Sequence, residues 1–267
     1  MDPQGMNHLI FLFLKYCPEI KCLFDSTNVD LLQTEDAFSS LVILNLLELD
    51  NLEEVFHDPS SRCSLKSLEE LSIKTCRQLT QKLCHLKFLT IANCPMLTCI
   101  LKPSIVQTLE LLEQVEISEC SELKQIIEEV EEGSVDYVSS QSHTSLMLPK
   151  LRKLTIFECQ GLEYIFPMCY AQGPASLEIL EIEECNELKY IFGSEKEHDL
   201  TVYRHQTHRQ TKVDINLPYL GELHLKSLPN LVEILPKYFH PRLNKFGEVN
   251  LRKLSKIVNF FSAYGGD

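Results

Sequence analysis

Glycine is scarce in this sequence, at nine of 267 residues, and none of the nine falls into a GxGxxG or GxxxxGK arrangement. A phosphate cradle needs glycines at those spacings so that backbone N–H groups can close around the anion, so neither type of nucleotide loop is present. GxSxG and HExxH are missing too, which removes the hydrolase nucleophile elbow and the zinc-protease helix. Basic residues are in deficit, 25 Lys and Arg against 38 Asp and Glu, for a net charge of −13. Such a field repels phosphate backbones, and nucleic acid is not an expected partner. Long apolar runs are lacking: Leu9 to Leu14, near the start, is too short to span a bilayer. No basic residue lies between Met1 and His8, so the run is also poorly flanked for a signal peptide. There is no Asn-x-Ser/Thr sequon and no CxxC pair. Together with an odd number of cysteines, eleven, these absences point to reduced thiols and a cytoplasmic address.

What is present is apolar and periodic. At 44% hydrophobic content the chain has ample material for a core. One pattern returns along it: an apolar residue, two variable positions, an apolar, one variable, an apolar, two variable, then Cys or Leu, then Leu or Ile three and six residues on. The clearest copies run Leu112, Val115, Ile117, Cys120, Leu123, Ile126; Leu151, Leu154, Ile156, Cys159, Leu162, Ile165; and Leu177, Leu180, Ile182, Cys185, Leu188, Ile191. Further copies open at Leu9, Leu68 and Leu86. Three more open at Leu41, Leu220 and Phe246, where Leu49, Leu228 and Leu254 stand in place of the cysteine. The nine starts are separated by 32, 27, 18, 26, 39, 26, 43 and 26 residues, a basic period of 26 with two insertions. That period lies in the leucine-rich-repeat range.

The spacing dictates the local structure. Two apolar residues two positions apart point to the same side of an extended segment, and the residue between them points away. Each unit therefore gives one short strand, and because all units run the same way the strands pair in parallel through a crossover. The expected fold is an α/β-type leucine-rich-repeat solenoid, a curved horseshoe spanning 1–267 as one domain. About nine parallel strands should line its concave face, with irregular or short helical returns on the convex side. Polar insertions at 128–146 and 193–216 should form loops.

Cys17, Cys76, Cys94, Cys120, Cys159 and Cys185 share one motif position, where the chain leaves the strand and must satisfy backbone groups inside the bend. A buried structural ladder of thiols is the expectation, and neither catalysis nor metal binding is assigned to them. His198, His205 and His208 cluster in the second insertion, but no Cys or carboxylate lies at ligand spacing, so no metal and no cofactor is expected. The acidic stretch from Glu110 to Asp136 lacks the glycine-turned alternation of a calcium loop and reads as a solvated face. An enzyme built on Cys63 or on the histidines has no motif behind it.

The phrases Leu177-Glu-Ile-Leu-Glu-Ile-Glu-Glu-Cys-Asn-Glu-Leu-Lys-Tyr-Ile-Phe192, Leu148-Pro-Lys-Leu-Arg-Lys-Leu-Thr-Ile156 and Leu217-Pro-Tyr-Leu-Gly-Glu-Leu-His-Leu225 carry a further signal. They resemble the C-terminal repeats of plant intracellular immune receptors, the coiled-coil nucleotide-binding leucine-rich-repeat disease resistance proteins. The resemblance implies a protein partner, either a pathogen effector or a host protein, and contact with the nucleotide-binding module of a parent receptor. It also implies a receptor segment or a truncated relative. No coiled coil or Walker motif accompanies the repeats, so nucleotide binding is not carried over. A general repeat adaptor, an inhibitor or a ubiquitin-ligase substrate receptor shares the scaffold, though the last would place an F-box ahead of the repeats.

If the strands lie as drawn, their outward residues form the partner face. Phe88, Glu116, Phe157, Glu181, Glu183 and His224 are the candidates, with Glu69, Ser72 and Lys74 as the outward set of an earlier unit. Exposed aromatics anchor interfaces, and surrounding carboxylates favour a basic ligand surface.

Overall fold

The structure, a computed structural model, describes residues 8–25, 38–49, 51–52, 54–57, 65, 67–74, 85–101, 106, 108–128, 148–167, 174–192, 213–232, 234, 239–242 and 247–257. In chain order its strands are β1 (Phe11–Lys15), β2 (Cys22–Asp25), β3 (Ile43–Leu47), β4 (Glu54–His57), β5 (Glu70–Lys74), β6 (Phe88–Ala92), β7 (Cys99–Leu101), β8 (Gln114–Ser118) and β9 (Gln125–Ile127). They continue with β10 (Lys153–Phe157), β11 (Tyr164–Phe166), β12 (Ile179–Glu183), β13 (Tyr190–Phe192), β14 (Val213–Asn216), β15 (Glu222–Lys226), β16 (Phe239–Arg242) and β17 (Glu248–Arg252). Nine of them form one sheet in the order β1-β3-β5-β6-β8-β10-β12-β15-β17, every neighbour parallel. Each of the nine motif copies supplies one of these strands.

The register is the motif itself. Leu89, Val115, Leu154, Leu180 and Leu223 stand side by side, as do Ile91, Ile117, Ile156, Ile182 and Leu225. These inward residues are at most 4% exposed. Among the described residues, the leucines that open the units and the Cys or Leu that follows each strand join the same core cluster, with Leu9, Cys17 and Leu254 partly buried against it. A one-residue slip would turn every inward aliphatic to water, so burial enforces the alignment.

The opposite side differs from the expected irregular or short helical returns. Among the described residues Val106 alone is α-helical, and short strands of the returns pair in parallel as β2-β4, β7-β9, β11-β13 and β14-β16. Three-residue segments such as Cys99–Leu101 and Tyr164–Phe166 are too short for a helical turn to satisfy its own backbone. Stacking on the equivalent segment of the next repeat pairs those groups instead. Phe166 and Phe192 stack across that side with centroids 5.1 Å apart. The second expected insertion is also shorter than 193–216, because Val213–Asn216 is strand β14, paired with β16. The rest of it, and 129–146 of the first, lie outside the described residues.

Where eight of the nine long strands end, the next residue takes the left-handed conformation; the residue after β5 lies outside the described residues. Tyr16, Glu48, Asn93, Glu119, Glu158, Glu184, Ser227 and Lys253 all have φ between 49° and 57°. The N–H of each of the first seven bonds the last carbonyl of the neighbouring strand, as in Glu119 N to Phe157 O at 2.9 Å and Glu158 N to Glu183 O at 3.0 Å. The turn bends the chain off the sheet while keeping that donor paired. A side chain with a Cβ pays for this conformation, and glycine does not. Glu158→Gly is therefore expected to raise stability by about 0.5–1 kcal/mol in chemical denaturation; a loss of stability would show that the Glu158 side chain stabilises the turn.

Candidate interaction face

Parallel pairing in register sorts the outward side chains into three columns. Phe88 lies in the first, between Glu70 and Gln114. Glu116, Glu181 and His224 lie in the second: Glu116 stands between Thr90 and Thr155, and Glu181 between Thr155 and His224. Phe157 and Glu183 are neighbours in the third, flanked by Ser118 and Lys226. All six candidates thus share one face, and Glu116 is exposed while the other five are half-buried. Glu69 does not belong with them. The residue in register with Phe88 is Glu70, whereas Glu69 precedes the strand and pairs with Lys87 at 2.8 Å.

The carboxylates of this face fall into two kinds. Glu181 accepts bonds from Lys153 and Thr155, both at 3.0 Å. Burial opposes its ionisation, yet the Lys153 and Thr155 bonds and the charge of Lys153 outweigh that and hold its carboxyl below the usual range. Glu183 is likewise paired with Lys226. These two glutamates are mostly neutralised within the sheet, so the face around β10, β12 and β15 is far less acidic than its composition suggests. Glu116 is different: among the described residues it has no ion-pair partner. The same holds for Glu119, Glu158 and Glu184, the left-handed residues that follow β8, β10 and β12. They form a fourth row at the rim of the face, with neighbours about 4.8 Å apart along the sheet. Strand parity alone does not find this row, because the turn has already broken the alternation. The recurring Glu-Cys pair at the end of three units is its sequence signal.

The thiols behind that rim are built into the bend. Cys94, Cys120, Cys159 and Cys185 are buried, and each donates its S–H to the carbonyl two residues back, at 3.3–3.5 Å. The half-buried Cys17 makes the same contact with Lys15. The Ser118, Phe157 and Glu183 carbonyls so receive two donors, one from a thiol and one from the preceding turn's N–H. Hydrogen bonding with Cys159, together with burial, raises the Cys120 thiol to about 12, and burial pushes Cys185 to about 12. Both stay protonated at neutral pH, the form that donates to a carbonyl and neither attacks nor ligates. Where Leu49, Leu228 and Leu254 replace the thiol, the Leu47, Lys226 and Arg252 carbonyls keep only the N–H donor. Cys76 lies outside the described residues.

This repeat geometry is matched in sequence. Residues 135–264, covering β10 to β17, fit a family model described as plant disease resistance protein RPS2-like, leucine-rich repeats. Over that stretch the chain is similar to leucine-rich repeats of the plant disease resistance type. Among solved structures, the crystal structure of a TLR13–ssRNA13 complex is similar over 92% of this chain and 44% of that chain, at 17% identity and a TM-score of 0.29. The chain therefore spans less than half the length of that match. No curated protein matches it.

The leucine-rich repeats hold no group of three or more His, Cys, Asp or Glu placed to bind a metal ion, among the described residues. His198, His205, His208 and Cys63 lie outside them. No helix among the described residues is long and apolar enough to cross a membrane.

Proposed function

We propose that this chain is the sensor repeat region of a plant intracellular immune receptor, or a truncated relative of one, working in the cytoplasm. It recognises a pathogen effector or a host protein through the outward face of the nine-stranded sheet. A module of leucine-rich repeats from this family is a protein-interaction scaffold. The observation that carries the finer reading is the array of outward side chains set in register on a fixed lattice, with unpaired carboxylates beside half-buried aromatics. Rigid presentation lowers the entropy cost of binding, and an aromatic such as Phe157 offers contact area next to Glu116 and Glu158. Carboxylates without a lysine across the strand are the ones available to a basic partner surface. Glu181 and Glu183 hold the lattice instead, through Lys153 and Lys226.

The test is capture of partners from plant extract, comparing the wild-type chain with two triple-site designs. Reversing Glu116, Glu119 and Glu158 to Lys is expected to lower recovery of a salt-sensitive, basic partner by about tenfold or more. The neutral changes Glu116→Gln, Glu119→Gln and Glu158→Gln should give a smaller loss. Unchanged recovery with the lysine design would dispose of the reading. Recovery of a nucleotide-binding module through the same face would support restraint of a parent receptor.

A further inference from the structure

The two ends of the nine-stranded sheet are chemically unlike. At the β17 end the outward residues are Glu248, Asn250 and Arg252, polar groups that discourage strand addition. At the β1 end they are Phe11, Phe13 and Lys15, with Phe11 and Phe13 49% and 48% exposed. Ile10 and Tyr16 on either side are exposed as well. The inward residues of this first repeat, Leu12 and Leu14, are only partly buried, whereas their register neighbours Leu44 and Leu46 are at 0% and 1% exposure. One layer of aliphatic contact is missing from this end among the described residues.

Among the described residues the backbone of β1 is paired on one side alone. Ile10 O accepts from Ile43 N, and Tyr16 N donates to Leu47 O. By the alternation of a parallel ladder, the even-numbered residues face β3, and the N–H and C=O groups of Phe11, Phe13 and Lys15 point to the open edge. The strand Phe11-Leu-Phe-Leu-Lys15 is close to a palindrome about Phe13. Set antiparallel against itself with Phe13 opposite Phe13, it brings Phe11 opposite Lys15 on the outward face. It also brings Leu12 opposite Leu14 on the core face. Every position opposite another is on the same side, and the residues whose backbone groups have no strand partner among the described residues form the hydrogen-bonded pairs, with Lys15 O also accepting the Cys17 thiol. Lys15, whose Nζ already lies 4.5 Å from its own Tyr16 ring, gains a second aromatic neighbour in Phe11.

We infer that the chain forms a closed two-fold dimer by antiparallel pairing of β1 with β1 of a second copy. The alternative, β17 of one copy against β1 of the next, would continue the parallel sheet but fits badly. In the common register it sets Phe11 against Glu248, Phe13 against Asn250, and Lys15 against the like charge of Arg252. It would also leave an open chain of copies, whereas the two-fold arrangement closes. Head-to-head pairing places both outward faces on the same side of one continuous sheet, so the dimer presents two copies of the partner surface for bivalent capture.

Sedimentation of the full chain at loading concentrations from about 1 to about 100 µM tests this. The wild type is expected to move to twice the monomer mass and stop there. Phe13→Glu and Phe13→Lys each place like charges directly across the two-fold axis and should each weaken association by about 100-fold or more. An equimolar mixture of the two variants should recover the dimer, because Glu then faces Lys. Recovery on mixing requires both variants to be folded, so misfolding cannot imitate it. A wild type that stays monomeric, variants that dimerise as well as the wild type, a mixture that fails to recover, or masses that climb without closing would each overturn the proposal.

Discussion

Ile156→Ala should cost about 2–5 kcal/mol of folding stability, measured by urea denaturation, with hydrogen-exchange protection falling first in β8, β10 and β12. Ile156 is 1% exposed and sits in register between Ile117 and Ile182. In a stack each repeat touches only its neighbours, so the cavity opens at two repeat interfaces at once. The outward control is Ser118→Ala, one residue past Ile117, whose side chain holds no core contact. It should change stability by no more than about 0.5 kcal/mol. Equal losses at the two sites would mean that inward and outward positions have been assigned to the wrong faces.

Gly161→Ala is the second large effect, and its cause is space alone. Gly161 does not occupy the left-handed region, but a Cβ built on it would meet the Ser121 carbonyl oxygen at 2.7 Å and that of Leu123 at 3.2 Å. Both obstacles are backbone, so the bend of one repeat would have to lift away from the next. A loss of about 1–3 kcal/mol is expected for alanine, and more for valine, as a drop in denaturation midpoint. Gly247→Ala is the matched comparison: its Cβ would meet Gly221 O at 3.4 Å, ordinary contact, and the change should be small. If the two substitutions cost the same, the close approach of the β8 and β10 turns is not as described.

The nine strands were legible because their signal is redundant. Each Leu-x-Ile pair has period two, each opens after a leucine three residues earlier, and each is followed by Cys or Leu at a fixed distance. Nine repetitions leave little freedom in where the strands start. The return side gave no such signal. Tyr164–Phe166 has all three residues buried, so the alternation that marks a half-buried strand is absent. Its strand character comes from pairing with Tyr190–Phe192, a contact across repeats that no local window contains.

The candidate face was legible in part for the same reason. Parity placed Phe88, Glu116, Phe157, Glu181, Glu183 and His224 on one side of the sheet. It could not tell which carboxylates were spent on structure, because the partners of Glu181 and Glu183 lie 28 and 43 residues away in sequence, at Lys153 and Lys226. The second separation crosses an insertion of undetermined reach when only the sequence is known. Phe11 and Phe13 were visible from the first repeat's Leu12 and Leu14, yet their exposure depends on β1 standing at the edge, a fact about order in the sheet. The left-handed row of Glu119, Glu158 and Glu184 was hidden by the bend itself.

An experimentally phased density map of the chain is the most direct check of the account. It should place Leu154 between Val115 and Leu180, all three strands running in one direction about 4.8 Å apart, with Glu116, Thr155 and Glu181 turned to solvent on the far side. Antiparallel neighbours, or a register in which Leu154 and Ile156 face water, would contradict it.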